Sequence, residues 1–165
     1  MSNFLNKNFV INFLIILSIF ALDRFSKVYV ISKNEKSLSA ELFESKYLNI
    51  DLVWNEGIAF GLLSFDQKFY YDTLTGLICL ITIVILWMII KTNGLEKLAF
   101  TMVFGGSLGN IFDRLYYSSV PDFIDFHFGD FHWFIFNVAD IFITIGIIFL
   151  IMLEIFSKKK DEIHK

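Results

Sequence analysis

Four long apolar stretches set the strongest limit on how this chain can fold. They lie near residues 9–31, 69–90, 95–115 and 131–156. A helix needs about 20 mostly apolar residues to cross the ~30 Å hydrocarbon core of a bilayer. With 56% hydrophobic residues, 21 phenylalanines and one proline, the chain is too apolar for a soluble domain of 165 residues. The sequence therefore predicts an all-α membrane protein, a bundle of four transmembrane helices forming a single domain over residues 1–165.

Charged residues indicate how this bundle is oriented. The first stretch could be a cleaved signal peptide, but no A-x-A-like site follows it, and Asp23 and Arg24 come directly after. We therefore expect a retained helix. Four spans place both termini on one side, and the lysine tail at 158–160, with Lys91 and Lys97, favours the cytoplasm for that side. The net charge of −3 gives no reason to expect nucleic acid as a partner.

Two segments outside the expected spans connect the helices on the outer side. The first, an outer cap at about 32–68, contains YLNIDLVW at 47–54, whose strict alternation predicts a strand in a small extracytoplasmic β element. It continues as NEGIAFGLLSF, where Gly57 provides a turn before a mainly apolar run that we expect at the lipid surface. The second segment, 116–130, is rich in aspartate and joins spans three and four.

One carboxylate, Asp140, lies inside the fourth apolar stretch. A helix entered at residue 131 would carry it roughly 13 Å along its axis. A charge at the bilayer centre costs ~3 kcal/mol on insertion scales, and such residues usually face a bundle interior or a watery cavity. Asn137, three positions earlier, would share its helical face. We expect Asp140 to belong to a functional site rather than to a purely structural hydrogen bond.

Span three ends in GGSLGNIFDR at 105–114, which combines small and polar residues. Small residues let helices approach closely, and this explains Gly105 and Gly109 without any function. The polar residues that lie four, seven and eight positions after Gly106 share one helical face with it. That face comprises Gly106, Asn110, Asp113 and Arg114. Its arginine could pair with the neighbouring Asp113, contact substrate carbonyls or reach lipid headgroups.

Span one ends in DRFSK at 23–27, where Asp23 and Lys27 form an i, i+4 pair in the favourable order. On a surface helix such a pair would contribute little to stability. Here the other helices also become polar at the same level. We therefore expect the pair to belong to one shared polar cluster.

The aspartates are the expected chemical agents of this cluster. Two carboxyl groups held close together cannot both ionise, so one keeps a proton. The ionised group can take a proton from water while the protonated group polarises a peptide carbonyl, which gives acid/base hydrolysis without a metal or a covalent intermediate. Asp140 needs a partner for this chemistry. The candidates are Asp113, Asp122 and Asp125, and spacing does not choose among them.

Three other interpretations of the polar residues are weaker. His127 and His132, beside Asp125, follow no recognised ligand spacing, so we expect interfacial loop residues and neither a metal nor another cofactor. The membrane carboxylates could also serve a proton- or ion-coupled transporter as a relay, or a scaffold for helix association. A relay would need polar residues that continue to the inner face. Span two below Thr82 and span four below Thr144 offer almost none.

Five motifs together resemble those of lipoprotein signal peptidase, or signal peptidase II, in order and over nearly the whole chain. They are DRFSK at 23–27, NEGIAFG at 55–61, GGSLGNIFDR at 105–114, VPDFIDF at 120–126 and FNVAD at 136–140. Members of this family are four-helix aspartyl proteases of the bacterial inner membrane with an outward-facing site. The resemblance implies a substrate carried by membrane lipids: a prolipoprotein whose cysteine bears diacylglycerol, cut immediately before that cysteine.

The resemblance also implies roles for individual residues. The first aspartate of VPDFIDF, Asp122, and the aspartate of FNVAD, Asp140, become the catalytic pair. Other motif residues are implied to line or support the substrate pocket: Asp23, Lys27, Asn55, Gly57, Gly106, Asn110, Arg114 and Asn137. The chain departs from the family pattern at Phe134, where members often have proline, and at Pro121, directly before the first aspartate. Neither departure removes a chemical group.

Overall fold

The protein is described by a computed structural model that covers residues 7–36, 41–57 and 68–163. It is mostly helical. The helices are α1 Lys7–Lys36, α2 Lys68–Lys91, α3 Gly94–Tyr117 and α4 Val138–Ile163. Three segments within the described residues are long and apolar enough to cross a membrane: Asn8–Lys36, Lys68–Lys91 and Val138–Ser157. The expected membrane protein of long apolar helices is therefore confirmed in this coarser form.

Helix α3 lies at the centre of the bundle and packs against the other three helices. It has the same 24-residue length as α2 but buries nine residues where α2 buries four. Its glycines allow this close packing, because a Cβ at Gly106 would lie 2.5 Å from the carbonyl oxygen of Ala139 in α4. A Cβ at Gly109 would lie equally close, 2.5 Å, to a carboxylate oxygen of Asp23 in α1. The small-residue packing predicted for span three is confirmed.

A four-stranded antiparallel sheet in the order β1-β2-β3-β4 covers one end of the bundle. Its strands are β1 Glu41–Phe43, β2 Leu48–Asn55, β3 Val120–Phe128 and β4 Phe131–Phe136. Strand β2 confirms the strand predicted from the alternation at 47–54. Strand β3 was not predicted. It comes from the aspartate-rich segment at 116–130 and brings that segment against β2, where Val53 lies opposite Asp122.

The expected start of span four at residue 131 is wrong. Residues Phe131–Phe136 form β4, and the helix begins only at Val138. The sequence FHWFIF is rich in aromatic residues, which favour strands, and Gly129 adopts a φ of +59° in the turn that joins β3 to β4. An apolar run of this length cannot be assigned to strand or helix by hydropathy alone.

The limits of the outer cap also differ from those expected. Helix α1 continues to Lys36, so the cap begins after residue 36 rather than at 32. The apolar run predicted at the lipid surface after Gly57 falls mainly on residues 58–67, which lie outside the described residues.

Candidate active site

Asp122 and Asp140 lie in one pocket of about 260 Å³ at the junction of sheet and bundle. Asp122 is in β3, and Asp140 is in the first turn of α4. Of the three partners considered for Asp140, only Asp122 is among the residues that line this pocket. The pocket wall includes four further polar residues from the sequence motifs: Asn55, Asn110, Arg114 and Asn137.

Asp140 is held by the beginning of its own helix. Its backbone N–H donates to Asn137 Oδ1 at 3.2 Å, and the backbone N–H of Asn137 donates to Asp140 Oδ2 at 3.1 Å. This reciprocal pair has the geometry of a capping box. A helix N-terminus also favours negative charge. The carboxylate therefore does not lie roughly 13 Å inside a helix, as the sequence suggested; the strand before α4 moves it to the helix start.

Asp122 accepts one hydrogen bond on each carboxylate oxygen. Asn137 Nδ2 donates to Oδ1 at 2.6 Å, and Asn55 Nδ2 donates to Oδ2 at 2.8 Å. Strand pairing sets up both contacts, since Asn55 ends β2 beside β3 and Asn137 directly follows β4. Asn137, which is fully buried, thus contacts both aspartates and joins them into one unit.

The amides of Asn55 and Asn137 are held so that their nitrogen atoms point at the carboxylate of Asp122. Asn55 Oδ1 accepts the backbone N–H of Gly57 at 2.9 Å, which leaves Nδ2 as the group that faces Asp122. Asn137 Oδ1 accepts the N–H of Asp140. Each amide oxygen therefore has its own donor, and this fixes the orientation of the amide.

Asn110 provides the same kind of contact to Asp140. Its Oδ1 accepts from Lys27 Nζ at 2.9 Å, and its Nδ2 donates to Asp140 Oδ1 at 2.8 Å. An ammonium group can only donate hydrogen bonds. Lys27 therefore turns the amide of Asn110 so that its nitrogen faces the carboxylate.

The pKa of Asp122 is raised from its ordinary value of 3.8 to about 6. Burial of the carboxylate is the main cause, and the negative charge of Asp140 adds to it. The hydrogen bonds from Asn55 and Asn137 lower the pKa but do not outweigh these two effects. Neutral amides hold the carboxylate in place without a full positive charge beside it, so a proton stays available near neutral pH.

A buried group of two acids and two bases lies behind the pocket, and we call it the ionic cluster. It consists of Asp23, Arg24, Lys27 and Asp113. Lys27 Nζ lies 2.9 Å from the Asp23 carboxylate and 2.6 Å from that of Asp113, and all three side chains are fully buried. Arg24 contacts the same two acids, at 3.0 Å and 2.5 Å. The expected Asp23–Lys27 pair is confirmed as part of this larger group.

The possible pairing of Asp113 with Arg114 is wrong. Adjacent residues on a helix point in different directions, and Asp113 turns to α1, where Arg24 and Lys27 lie. The sequence places Arg24 in the polar motif DRFSK, but it predicts neither a partner nor an individual role for this residue. Its position directly after Asp23 was the available signal, but its partner Asp113 lies 89 positions away in the chain.

The ionic cluster contacts the pocket at two points. Asp23 Oδ1 accepts the backbone N–H of Ala139 at 3.0 Å, which fixes the first turn of α4 beside Asp140. Lys27 reaches Asp140 through Asn110, as described above. Asp23 and Lys27 therefore support the pocket from behind and do not line it.

The remaining motif residues complete the pocket in different ways. Arg114 lines it, donating to the backbone oxygens of Asn110 at 3.2 Å and Gly57 at 3.5 Å. Its Nε is buried and has no hydrogen-bond partner among the described residues. The backbone N–H of Gly57 donates to Asn55, and its backbone oxygen accepts from Arg114. Gly106 is a packing contact between α3 and α4 and is not part of the pocket wall.

The two histidines lie on strands, so their expected placement in a loop is wrong. His127 in β3 is opposite His132 in β4, and His132 Nδ1 lies 2.7 Å from Asp125 Oδ2. Asp125, one of the candidates for the partner of Asp140, makes this contact on the hairpin and is not part of the pocket wall. These three residues are the group in the described part of the chain whose side chains could hold a metal ion.

Comparison with known proteins places the chain in one family. The family model described as signal peptidase (SPase) II matches residues 15–156. The chain is 48% identical over 158 residues to the lipoprotein signal peptidase of Pelagibacter ubique strain HTCC1062, covering 94% of this chain and 95% of that protein. It is 38% identical over 153 residues to the lipoprotein signal peptidase of Francisella tularensis subsp. novicida strain U112, covering 90% and 94%.

A solved structure described as a bacterial membrane enzyme also resembles the fold. Its TM-score is 0.71 at 30% sequence identity, and the match covers 90% of each chain. These similarities do not favour a transporter. Family match, relatives and fold agree over nearly the whole length, and the chain belongs to the signal peptidase II family of membrane proteases.

Proposed function

We propose that the chain is an aspartic endopeptidase that removes the signal peptide from prolipoproteins, with Asp122 and Asp140 as its catalytic pair. The observation that carries the proposal is the pair itself. Two carboxylates share one pocket, both contact Asn137, and the Asp122 pKa is raised to about 6. No cation of the ionic cluster contacts either carboxylate directly among the described contacts.

The pair acts by acid/base hydrolysis. The ionised carboxylate takes a proton from a water molecule, whose oxygen bonds to the scissile carbonyl carbon. The protonated carboxylate gives its proton to the carbonyl oxygen, so the intermediate carries two hydroxyl groups. Collapse of this intermediate breaks the C–N bond and re-forms the carbonyl. As the carbonyl re-forms, one hydroxyl gives its proton to one carboxylate of the pair, and the leaving amine takes a proton from the other. The pair therefore again holds one proton, as at the start.

The substrate is a prolipoprotein whose cysteine carries a diacylglyceryl group. An apolar groove of about 310 Å³ adjoins the polar pocket. The two share four lining residues: Phe134, Phe136, Asp140 and Thr144. An acyl chain lying in this groove would place the neighbouring peptide bond at the carboxylates. Cleavage is expected immediately before the lipid-bearing cysteine. Arg114 lines the polar pocket, so its guanidinium is placed to donate to a substrate carbonyl beside that bond.

The chain is arranged as a single domain with four spans in the bacterial inner membrane. Helix α3 has 24 residues and would extend about 36 Å, enough to cross the bilayer. It buries nine residues where α2 buries four, so fewer of its side chains have to face lipid. Both termini lie in the cytoplasm, as the lysines at Lys91, Lys97 and 158–160 favour. The sheet and the pocket then face the outer side, where the membrane-bound substrate presents its bond.

The decisive experiment incubates the purified protein in detergent with a prolipoprotein that carries the diacylglyceryl group. We expect release of the signal peptide, followed by gel mobility and mass spectrometry. A matched substrate with serine in place of the lipid-bearing cysteine should remain uncut, because it lacks the group that positions the bond. Efficient cleavage of the serine substrate would make the enzyme a general signal peptidase.

A chelator tests whether cleavage proceeds without a metal ion. Activity should be unchanged after incubation with EDTA, because the proposed proton transfers use only carboxylates and water. Loss of cleavage in EDTA at an unchanged Tm, restored by added Zn²⁺, would contradict the aspartic mechanism.

A further inference from the structure

The β3–β4 hairpin gathers three side chains of the kinds that bind transition metals. His127 and His132 face each other across the strands, with their rings stacked at a centroid distance of 5.1 Å. Asp125 contacts His132 at 2.7 Å. One potential ligand atom from each of the three residues lies within 4.8 Å of the others. Small side-chain rotations would bring such atoms to the separations found around one ion.

Two polar atoms of this group lack a hydrogen-bond partner among the described residues. Asp125 is only 6% exposed, yet its Oδ1 accepts no hydrogen bond, and the buried Nδ1 of His127 has no partner either. Leaving such groups unsatisfied costs about 1–3 kcal/mol each. Native structures usually satisfy them with protein, water or an ion. A cation between these atoms would satisfy both.

We propose that Asp125, His127 and His132 form a binding site for a divalent transition metal ion, of which Zn²⁺ is the representative. Two imidazoles and one carboxylate form a ligand set that suits such ions better than it suits Mg²⁺ or Ca²⁺. Three protein ligands leave one coordination position for water. This site was not expected from sequence spacing, since the hairpin creates it by placing residues 127 and 132 opposite each other.

The metal site is separate from the proposed catalytic pair. Asp125 follows Asp122 by three residues, which is roughly 10 Å along a strand. The ion would join β3 to β4 and so stabilise the hairpin that carries Asp122 and precedes Asp140. It takes no part in the proton transfers at the pocket. The inference therefore does not depend on the proposed function, and a failure of either leaves the other standing.

The test measures Zn²⁺ binding by the full chain, purified in detergent without a histidine tag and freed of metal. Competition with a chromophoric chelator should show one Zn²⁺ per chain. His132→Gln should lower the affinity at least tenfold. The His132 side chain is 53% exposed, so this variant is expected to fold. Equal affinity in His132→Gln and the unchanged protein would overturn the proposal.

Matched controls distinguish this site from the other histidine and the cysteine of the chain, which could also bind Zn²⁺. The third histidine, His164, and the single cysteine, Cys79, lie elsewhere in the sequence. His164→Gln and Cys79→Ser should bind Zn²⁺ as tightly as the unchanged protein, and loss of binding in either would place the ion outside the hairpin. Excess Mg²⁺ should not displace Zn²⁺; displacement would indicate a general cation surface instead.

Thermal unfolding gives a second readout that does not require activity. A saturating amount of Zn²⁺ should raise the Tm of the unchanged protein, because the ion binds the folded hairpin. The same amount should leave the Tm of His132→Gln nearly constant. A Zn²⁺-dependent rise of equal size in both proteins would contradict the assignment of His132 as a ligand.

Discussion

Four aspartates lie near one end of the bundle in two groups that differ in what faces them. Asp23 and Asp113 face the cations of Arg24 and Lys27 in the ionic cluster. The carboxylates of the proposed pair, Asp122 and Asp140, face the amides of three asparagines instead. The groups are neighbours, because Lys27 and Asp140 contact the same side chain, Asn110.

If Asp122 and Asp140 are the catalytic pair, as we propose, this difference lets one small bundle hold acids for structure beside acids for chemistry. Cations in direct contact balance the charge of a buried carboxylate and tie helices together. Amides orient a carboxylate but supply no full charge, so burial and a nearby second carboxylate can keep a proton on the pair. The ionic cluster is then expected to control stability, and the pair is expected to control turnover.

The largest effect is expected from removing either acid of the pair. Asp122→Asn and Asp140→Asn each keep the size of the side chain but cannot transfer the proton, so turnover should fall on the order of 10³-fold or more. The double variant should lose little further, because the two residues act as one unit. Cleavage of a lipid-modified prolipoprotein measures turnover, and circular dichroism checks the fold.

Asp130→Asn is the matched control for these variants. Asp130 lies in the exposed turn of the same hairpin, and its substitution should leave cleavage nearly normal. The assignment of the pair would be wrong if Asp122→Asn kept near-normal turnover while a folded Asp113→Asn or Asp125→Asn was inactive. Asp140 would then have a different catalytic partner.

The next largest effect is expected in the ionic cluster, and it concerns stability. Lys27→Met removes one of two cations and leaves Asp23 and Asp113 incompletely balanced. Breaking a buried ion pair by removing one partner costs about 3–5 kcal/mol. The variant should show a markedly lower Tm in detergent, whereas Lys36→Met, at the exposed end of α1, should not. A normal Tm combined with lost turnover would show that Lys27 acts in catalysis. The ionic cluster and the proposed pair would then not differ in function.

A smaller effect is expected at the residue that both groups contact. Asn110→Ala removes a hydrogen bond to the Asp140 carboxylate, a type of contact worth about 1.5–3 kcal/mol. We expect kcat to fall roughly 10- to 150-fold, with a smaller change in KM. Asn93→Ala at the opposite end of α3 is the control, since Asn93 makes no side-chain cap hydrogen bond. A normal kcat in Asn110→Ala would show that the hydrogen bond from Asn110 to Asp140 does not affect catalysis.

The smallest effect is a difference in how stability depends on pH. The Asp122 pKa in the folded protein, about 6, is above its ordinary value of 3.8. Between these values the folded state binds more protons than the unfolded state, so stability falls as pH rises. From pH 4 to pH 7 the unchanged protein should lose roughly 2 kcal/mol relative to Asp122→Asn. Parallel Tm curves for the two proteins would show that Asp122 titrates normally.

Much of the fold was predictable because it depends on local patterns. The apolar helices follow from runs of hydrophobic residues, and β2 follows from alternation over eight residues. The pair of Asp23 and Lys27 follows from a spacing of four on one helix. Strand β4 was missed because an apolar aromatic run such as FHWFIF reads equally well as the start of a helix. Strand β3 was missed because its segment contains aspartates, which are uncommon in strands.

The candidate site was predictable only in part. Spacing left three possible partners for Asp140, and the family resemblance was needed to favour Asp122. The role of Asn137 as the contact between both aspartates could not be read from its spacing, which suggested only a shared helical face. Its actual position before α4 depends on where the preceding strand ends. The grouping of Asp113 with Arg24 similarly required the packing of α3 on α1.

The sequence by itself determined that the chain is a membrane protein of long apolar helices with a few polar clusters, because hydropathy and helical spacing are properties of nearby residues. Apart from the local pair of Asp23 and Lys27, only the tertiary structure decided which carboxylates face cations and which face amides. That division rests on contacts between residues far apart in the chain, such as Asn55 with Asp122 over 67 positions and Asp23 with Ala139 over 116. Such contacts exist only after helices and sheet have packed together, so no local pattern of the sequence encodes them.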